Sequence, residues 1–291
     1  MRWGWRSWSG YKKHMTPTDN RSKVQQRILE AAQADPRILG CIDYGSSSEG
    51  RGDEWSDLDI ALFIQDSELE LFEKNWKQWA SQFGDLYLAY IGGIGHPWVV
   101  YQAAPLPLRV DFVFFPASNL DKILEWPCSP TSVEAMVLYD DTGGQIRSRV
   151  SRLVGQSLTP ESLAQAFEQV GGDFWYYLLR THTKLLRGEH WAARHDFNFI
   201  ITGNLLALLR IECGAVSRWR GASASAGIEK VLSAGRLEQL NRCIPGPTET
   251  DLKSALLRAA SLGSEVSENI AQKHSLDWPA SLAKKVLETL G

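Results

Sequence analysis

The sequence predicts a mixed α+β domain followed by an all-helical domain. Up to about residue 115, short segments alternate apolar and polar residues at period two, whereas after roughly Leu158 the apolar residues step by three and four. Length agrees, since 291 residues suffice for two domains of ordinary size. The expected division is an N-terminal extension over 1–17, a first domain over 18–155 and a helical domain over 156–291.

The stretch MRWGWRSWSGYKKH mixes tryptophans with basic residues and reads as a disordered extension, with Met15 an equally good first residue. Helical capping chemistry starts at Thr18 or Asp19, and Val24, Ile28 and Ala31 or Ala32 then recur at helical spacing to about Gln33, before Asp35-Pro36 closes the segment. Ile38 to Tyr44 is short and apolar and empties into Gly45-Ser46, as a strand entering a tight turn does. Leu58, Ile60, Leu62 and Ile64 alternate with Asp57, Asp59 and Ala61, so a second strand buries one row and presents both aspartates on the other face.

Ser67 and Glu70 have the spacing of a capping box, predicting a helix from about Glu68 to Phe83 with Leu69, Phe72, Trp76 and Trp79 on one side. Three more strands are expected at Leu86–Ile91, Trp98–Gln102 and Leu108–Phe115. In the last of these, Leu108, Val110, Phe112 and Phe114 share a face opposite Arg109, Asp111 and Val113. Thr159-Pro160-Glu161 is a good helix start, and Leu163, Phe167, Val170, Phe174, Leu178, Thr181 and Leu185 follow at helical spacing, with Gly171-Gly172 placed to kink or split the helix. Further helical patterns run through Phe197–Cys213, Ile228–Leu240, Asp251–Ile270 and Ala280–Leu290.

A formal net charge of -3 excludes a whole-surface attraction to nucleic acid or anionic membrane, so nucleic acid is disfavoured as a partner and any anionic ligand must be held locally. The four cysteines, Cys41, Cys128, Cys213 and Cys243, form no CxxC pair and read as reduced thiols, with two disulfides the alternative that their even number leaves open. No apolar run approaches the roughly 18 residues that cross a bilayer, and the N-terminus lacks a signal-peptide core; a cytoplasmic protein with no membrane partner is expected.

Burying a carboxylate in a strand costs several kcal/mol unless a cation or hydrogen-bond donors compensate. Asp57, Asp59 and Asp111, in two strands, are therefore poor packing residues and good hard-oxygen ligands for Mg²⁺, which pairs one or two carboxylates with water and phosphate oxygens. Gly45 and Ser46 alone read as an ordinary turn. Beside such carboxylates they become a phosphate cradle, with glycine allowing close backbone approach and serine donating its hydroxyl. Neither a P-loop nor a dinucleotide fingerprint is present.

The ordered set Gly45-Ser46, ten intervening residues, Asp57-Leu58-Asp59 and a later strand bearing Asp111 resembles the polymerase-β-type nucleotidyltransferases. The YGS…G.GD..SD stretch from Tyr44 to Asp57, the VLYDDTG segment over Val137–Gly143 and the LLRGE element over Leu185–Glu189 are similar to those of bacterial lincosamide and streptomycin (aminoglycoside 6-) adenylyltransferases.

The resemblance implies a polymerase-β-like sheet-and-helix domain and a helical bundle that contacts acceptor and nucleotide. It further implies an enzyme that moves AMP from Mg-ATP to a hydroxyl of a small molecule, an aminoglycoside or lincosamide antibiotic, releasing pyrophosphate. Carried over, Asp57 and Asp59 are metal ligands for two Mg²⁺ ions, Asp111 is a further ligand or the base, and Gly45 and Ser46 hold the triphosphate. Many relatives carry a basic residue three after the serine; here Glu49 stands there and Arg51 supplies the charge, so Arg51, with Arg187 of LLRGE, is a candidate phosphate contact. Glu168 and Asp173 are alternative bases on the long helix. A macromolecular acceptor (protein or RNA) and a catalytically inactive nucleotide-binding module are the competing readings, and a homodimer is compatible with the sequence.

Overall fold

The computed structural model describes residues 17–160, 162–218 and 224–291, so the expected extension and Glu161 of the Thr159-Pro160-Glu161 helix start lie outside the described residues, Pro17 excepted. The described chain forms two compact units that part between Ser157 and Leu158.

The first unit is a six-stranded sheet flanked by helices. In chain order it comprises α1 (Pro17–Ala34), β1 (Ile38–Asp43), β2 (Leu58–Ile64), α2 (Leu69–Ala80), β3 (Leu86–Ile91), β4 (Pro97–Tyr101), β5 (Leu108–Pro116), α3 (Val133–Met136), β6 (Val137–Asp140) and α4 (Gln145–Val150). The strand order is β3-β4-β5-β2-β1-β6. All neighbours are antiparallel except β2 and β5, which run parallel with Asp59 opposite Asp111.

Period-two alternation sorts the side chains between two cores. On one face Leu58, Ile60, Leu62, Ile64, Leu108, Val110, Phe112 and Phe114 pack against Val24, Ile28 and Ala32 of α1 and Phe72, Trp76 and Trp79 of α2. Aromatic edges lock this core: Trp79 meets Phe83 at 4.6 Å and Phe112 at 5.7 Å between ring centroids. On the opposite face Ile42, Ala61, Phe63 and Val113 are covered by Leu120 and Ile123 of a 3₁₀ segment, Met136 of α3, and Ile146 and Val150 of α4. Strand β3 is an edge strand whose Tyr87, Leu88 and Ile91 are 63%, 48% and 53% exposed.

Four sequence expectations are corrected here. Helix α1 begins at Pro17, ahead of Thr18 and Asp19. Ser67 does not cap α2: it lies inside a 3₁₀ turn, Asp66–Glu68, and the helix starts from Glu68 without a side-chain cap. Phe83 falls in a second 3₁₀ turn after α2. Strand β6 was not expected, being only four residues long; it pairs with β1 through Gly40↔Asp140 and Cys41↔Tyr139.

The second unit is helical, with no strand among its described residues: α5 (Leu163–Leu186), α6 (His190–Asp196), a π-helical turn (Phe197–Ile201), α7 (Thr202–Cys213), α8 (Ala234–Arg242), α9 (Glu249–His274) and α10 (Ala280–Leu290). Helix α5 runs unbroken through Gly171-Gly172 for 24 residues, and Ser162, accepting from the Gln165 N–H, is its cap. Thr248 and Asp251 form a reciprocal capping box on α9. The unit's core is built on Phe167, Val170, Phe174, Leu178 and Leu185 of α5 against Leu205, Leu208 and Leu209 of α7 and Leu252, Leu256, Val266 and Ile270 of α9. Residues Ile228–Lys230, expected to open a helix reaching Leu240, make a 3₁₀ turn, and Ser233 caps α8 separately. All four cysteines are free thiols.

Candidate active site

Parallel pairing of β2 with β5 sets Asp59 beside Asp111, on strands about 4.8 Å apart. Both lie on the sheet face that Ala61, Phe63 and Val113 cover further along. Asp57 immediately precedes β2, and its carboxylate pairs with Arg109 at 2.9 Å. The strands thus bring all three predicted carboxylates to one end of the sheet.

The turn after β1 is built around these carboxylates. A Cβ on Gly45 would stand 1.9 Å from Asp59 Oδ2, so glycine is required for the backbone to approach. The Gly45 N–H donates to Asp43 Oδ1 (3.0 Å), and the Tyr44 N–H donates to the Asp59 carbonyl (2.9 Å). In the serine run, Ser47 Oγ accepts from Arg21 at 2.5 Å and the buried Ser48 hydroxyl donates to the Gly45 carbonyl at 2.8 Å. The Ser46 side chain has no hydrogen bond among the described residues, so its hydroxyl can serve a ligand.

Glu49 and Arg51, where the charge order departs from the resemblance, bind each other. Arg51 Nε donates to Glu49 Oε2 at 2.9 Å, and Glu49 Oε1 also accepts the Ser129 N–H at 3.0 Å. With its side chain only 8% exposed, Glu49 pins the loop to the segment between β5 and α3, and it holds the guanidinium expected to meet phosphate.

Four carboxylates gather here, and their electrostatics follow. Burial, with repulsion from Asp57, Asp111 and Asp43, raises Asp59 to a pKa of about 7, against a smaller opposing pull from Arg21. Asp111 is also raised, by burial and Asp57, while Arg109 and His96 lower it. Burial pushes Asp43 upward against bonds from Gly45, Arg21 and Gln25, and it pushes the Tyr44 phenol far upward with help from the aspartates. Four carboxylates facing two arginines leave a crowded acidic site of the kind that suits a divalent cation. Among the described residues no three His, Cys, Asp or Glu side chains close on a common point; Asp57 pairs with Arg109.

Three residues at this site carried no sequence assignment. Arg21 of α1 donates to the Asp57 carbonyl (3.1 Å), to Asp43 (3.4 Å) and to Ser47, tying the helix, both strands' ends and the turn together. Asp43 uses the short-range habit of aspartate to accept an N–H two residues on, a signal readable in Asp-x-Gly. Arg109 stands two before Asp111 on the same strand face, which its spacing also shows. Nothing in the sequence marks Arg21.

Arg187 belongs to the helical unit, exposed where α5 ends before Gly188 at φ 74°. Its neighbour Lys184 is committed to the buried Asp196 at 2.7 Å. Asp173 lines a cleft of about 650 Å³ with Gln169, Asn198, Phe199 and Asn204. A smaller cavity of about 240 Å³ adjoins the carboxylates, lined by Arg21, Trp55, Asp57, Ala103, Leu106 and Arg109.

The sheet end thus carries aspartates paired across parallel strands with a glycine-serine turn pressed against them. The family model for streptomycin adenylyltransferase matches residues 19–93 and 106–290, and the chain belongs to that family of adenylyl-transferring enzymes. Similar solved structures include an aminoglycoside 6-adenyltransferase from Bacillus subtilis, at 14% identity and a TM-score of 0.44, covering 95% of this chain and 98% of that one. They also include a nucleotidyltransferase-like protein from Exiguobacterium sibiricum 255-15, at 13% identity and a TM-score of 0.35, covering 93% and 88%. No curated protein sequence matches. No helix of the described residues is long and apolar enough to cross a membrane.

Proposed function

We propose that this enzyme transfers AMP from Mg-ATP to a hydroxyl of a small-molecule antibiotic, an aminoglycoside or a lincosamide, with release of pyrophosphate. The observation that carries the reading is the in-register pair Asp59 and Asp111 with the Gly45 backbone pressed against Asp59. Asp59 and Asp111, with Asp57 completing the set, would hold the cation. Two Mg²⁺ ions there would supply positive charge that stabilises the departing pyrophosphate and acidifies the attacking hydroxyl.

The chain's own groups do the rest. The bare Gly45 and the Ser46 hydroxyl receive the triphosphate, and Arg51 reaches it on leaving Glu49. Asp111, raised by burial, accepts the proton of the acceptor hydroxyl as that oxygen attacks the α-phosphorus. No covalent enzyme intermediate is needed. Arg187 and the acceptor contacts of residues 156–291 enter this reading through the family resemblance alone.

The test is incubation with Mg-ATP and panels of aminoglycosides and lincosamides, following pyrophosphate release and a mass gain of one adenylyl group on the drug. Release without any modified drug, or label on protein or RNA, would replace the small-molecule acceptor with a macromolecular one. Full activity in Asp59→Asn would refute the metal assignment.

A further inference from the structure

Of the two arginines at the carboxylate cluster, one is fixed and the other is exchangeable. Arg21 has a side chain 14% exposed and is held by the Asp57 carbonyl, Asp43 and Ser47. Arg109 is 65% exposed; it forms an ion pair with Asp57, itself 28% exposed, and its charge also reaches Asp111. That pair occupies Asp57, one of the three carboxylates the metal reading assigns to a cation.

We propose that Arg109 is a competing counter-ion: it neutralises Asp57 while no metal is bound, and it must release Asp57 before that carboxylate can ligate a divalent cation. A solvent-exposed pair of this kind is weak, because water screens it and two long side chains must be held in one geometry. A compact divalent ion among several carboxylates displaces it at low cost. The cavity of about 240 Å³ that Arg109 and Asp57 both line gives the guanidinium somewhere to go. One wall of it comes from Ala103 and Ala104. The inference rests on the metal-binding reading above and adds an ordering to it: arginine off, cation on.

The experiment is Mn²⁺ binding to the full chain without nucleotide, read by electron paramagnetic resonance, for wild type, Arg109→Gln, Asp57→Asn and the double variant. Arg109→Gln is expected to bind Mn²⁺ roughly fivefold more tightly, on the scale of one exposed ion pair. Asp57→Asn is expected to bind more weakly, and the double variant is expected to match Asp57→Asn because the competitor has lost its target. Equal or weaker binding by Arg109→Gln would overturn the inference. So would a double variant that keeps the full gain, since Arg109 would then act through its general field rather than at Asp57. Should Arg109→Gln fail to fold, Arg109→Lys decides: near-wild-type affinity supports a competing cation, and a gain as large as that expected of glutamine opposes it. A wild-type chain that binds no Mn²⁺ removes the metal reading and this inference together, whereas Mn²⁺ binding without drug modification removes only the acceptor.

Discussion

At the scale of residues, the site's behaviour turns on Asp59 and Gly45. The folded-state pKa of Asp59, about 7, lies above its ordinary value of 3.8, so between those values the native state binds a proton that the unfolded state has lost. Metal-free protein is therefore expected to lose stability as pH rises from about 4 to about 7, and melting curves across that range in chelator check it. Asp59→Asn should flatten the dependence, raise the melting temperature at pH 8 and lower adenylyl transfer by a factor on the order of 100. A wild-type slope retained in the variant would assign the proton elsewhere. For Gly45→Ala the added methyl collides with the Asp59 carboxylate, costing about 1–3 kcal/mol and abolishing transfer although every carboxylate remains; denaturant melts and activity read both effects. The aspartates were legible because carboxylates in apolar strands demand a cause. Arg21 was not, because its partners lie 22, 26 and 36 residues away and no local pattern reports so distant a contact.

At the scale of elements, two helical glycines separate packing from propensity. Gly263 of α9 faces Phe174 of α5, and a Cβ there would lie 2.3 Å from the ring, so Gly263→Ala is expected to destabilise by about 1–3 kcal/mol. Gly172 meets nothing within 4 Å and is exposed, so Gly172→Ala should stabilise by about 0.5–1 kcal/mol through helix propensity alone. Chemical denaturation of the two variants measures the contrast, and equal effects would contradict the close crossing of α5 and α9. Periodicity predicted the long helices and five of the six strands well, since burial on one face leaves a repeating mark. It missed β6, whose four residues are too few to show a period, and it placed a cap at Ser67 where the chain makes a 3₁₀ turn first.

At the scale of the whole molecule, the chain parts near Ser157, in a stretch whose described residues form no helix or strand between Val150 and Leu163. Limited proteolysis is expected to cut first within 151–162 and to yield two resistant fragments; early cleavage inside either unit would argue against this division. The sheet also ends on β3, an uncharged run of Leu-Tyr-Leu-Ala-Tyr-Ile with no strand paired along its outer side among the described residues. That border sets how the enzyme keeps on the bench rather than how it reacts. Concentrated stocks are expected to scatter light over days, and Tyr87→Lys, which places a charge on the exposed rim, should keep them clear at unchanged turnover.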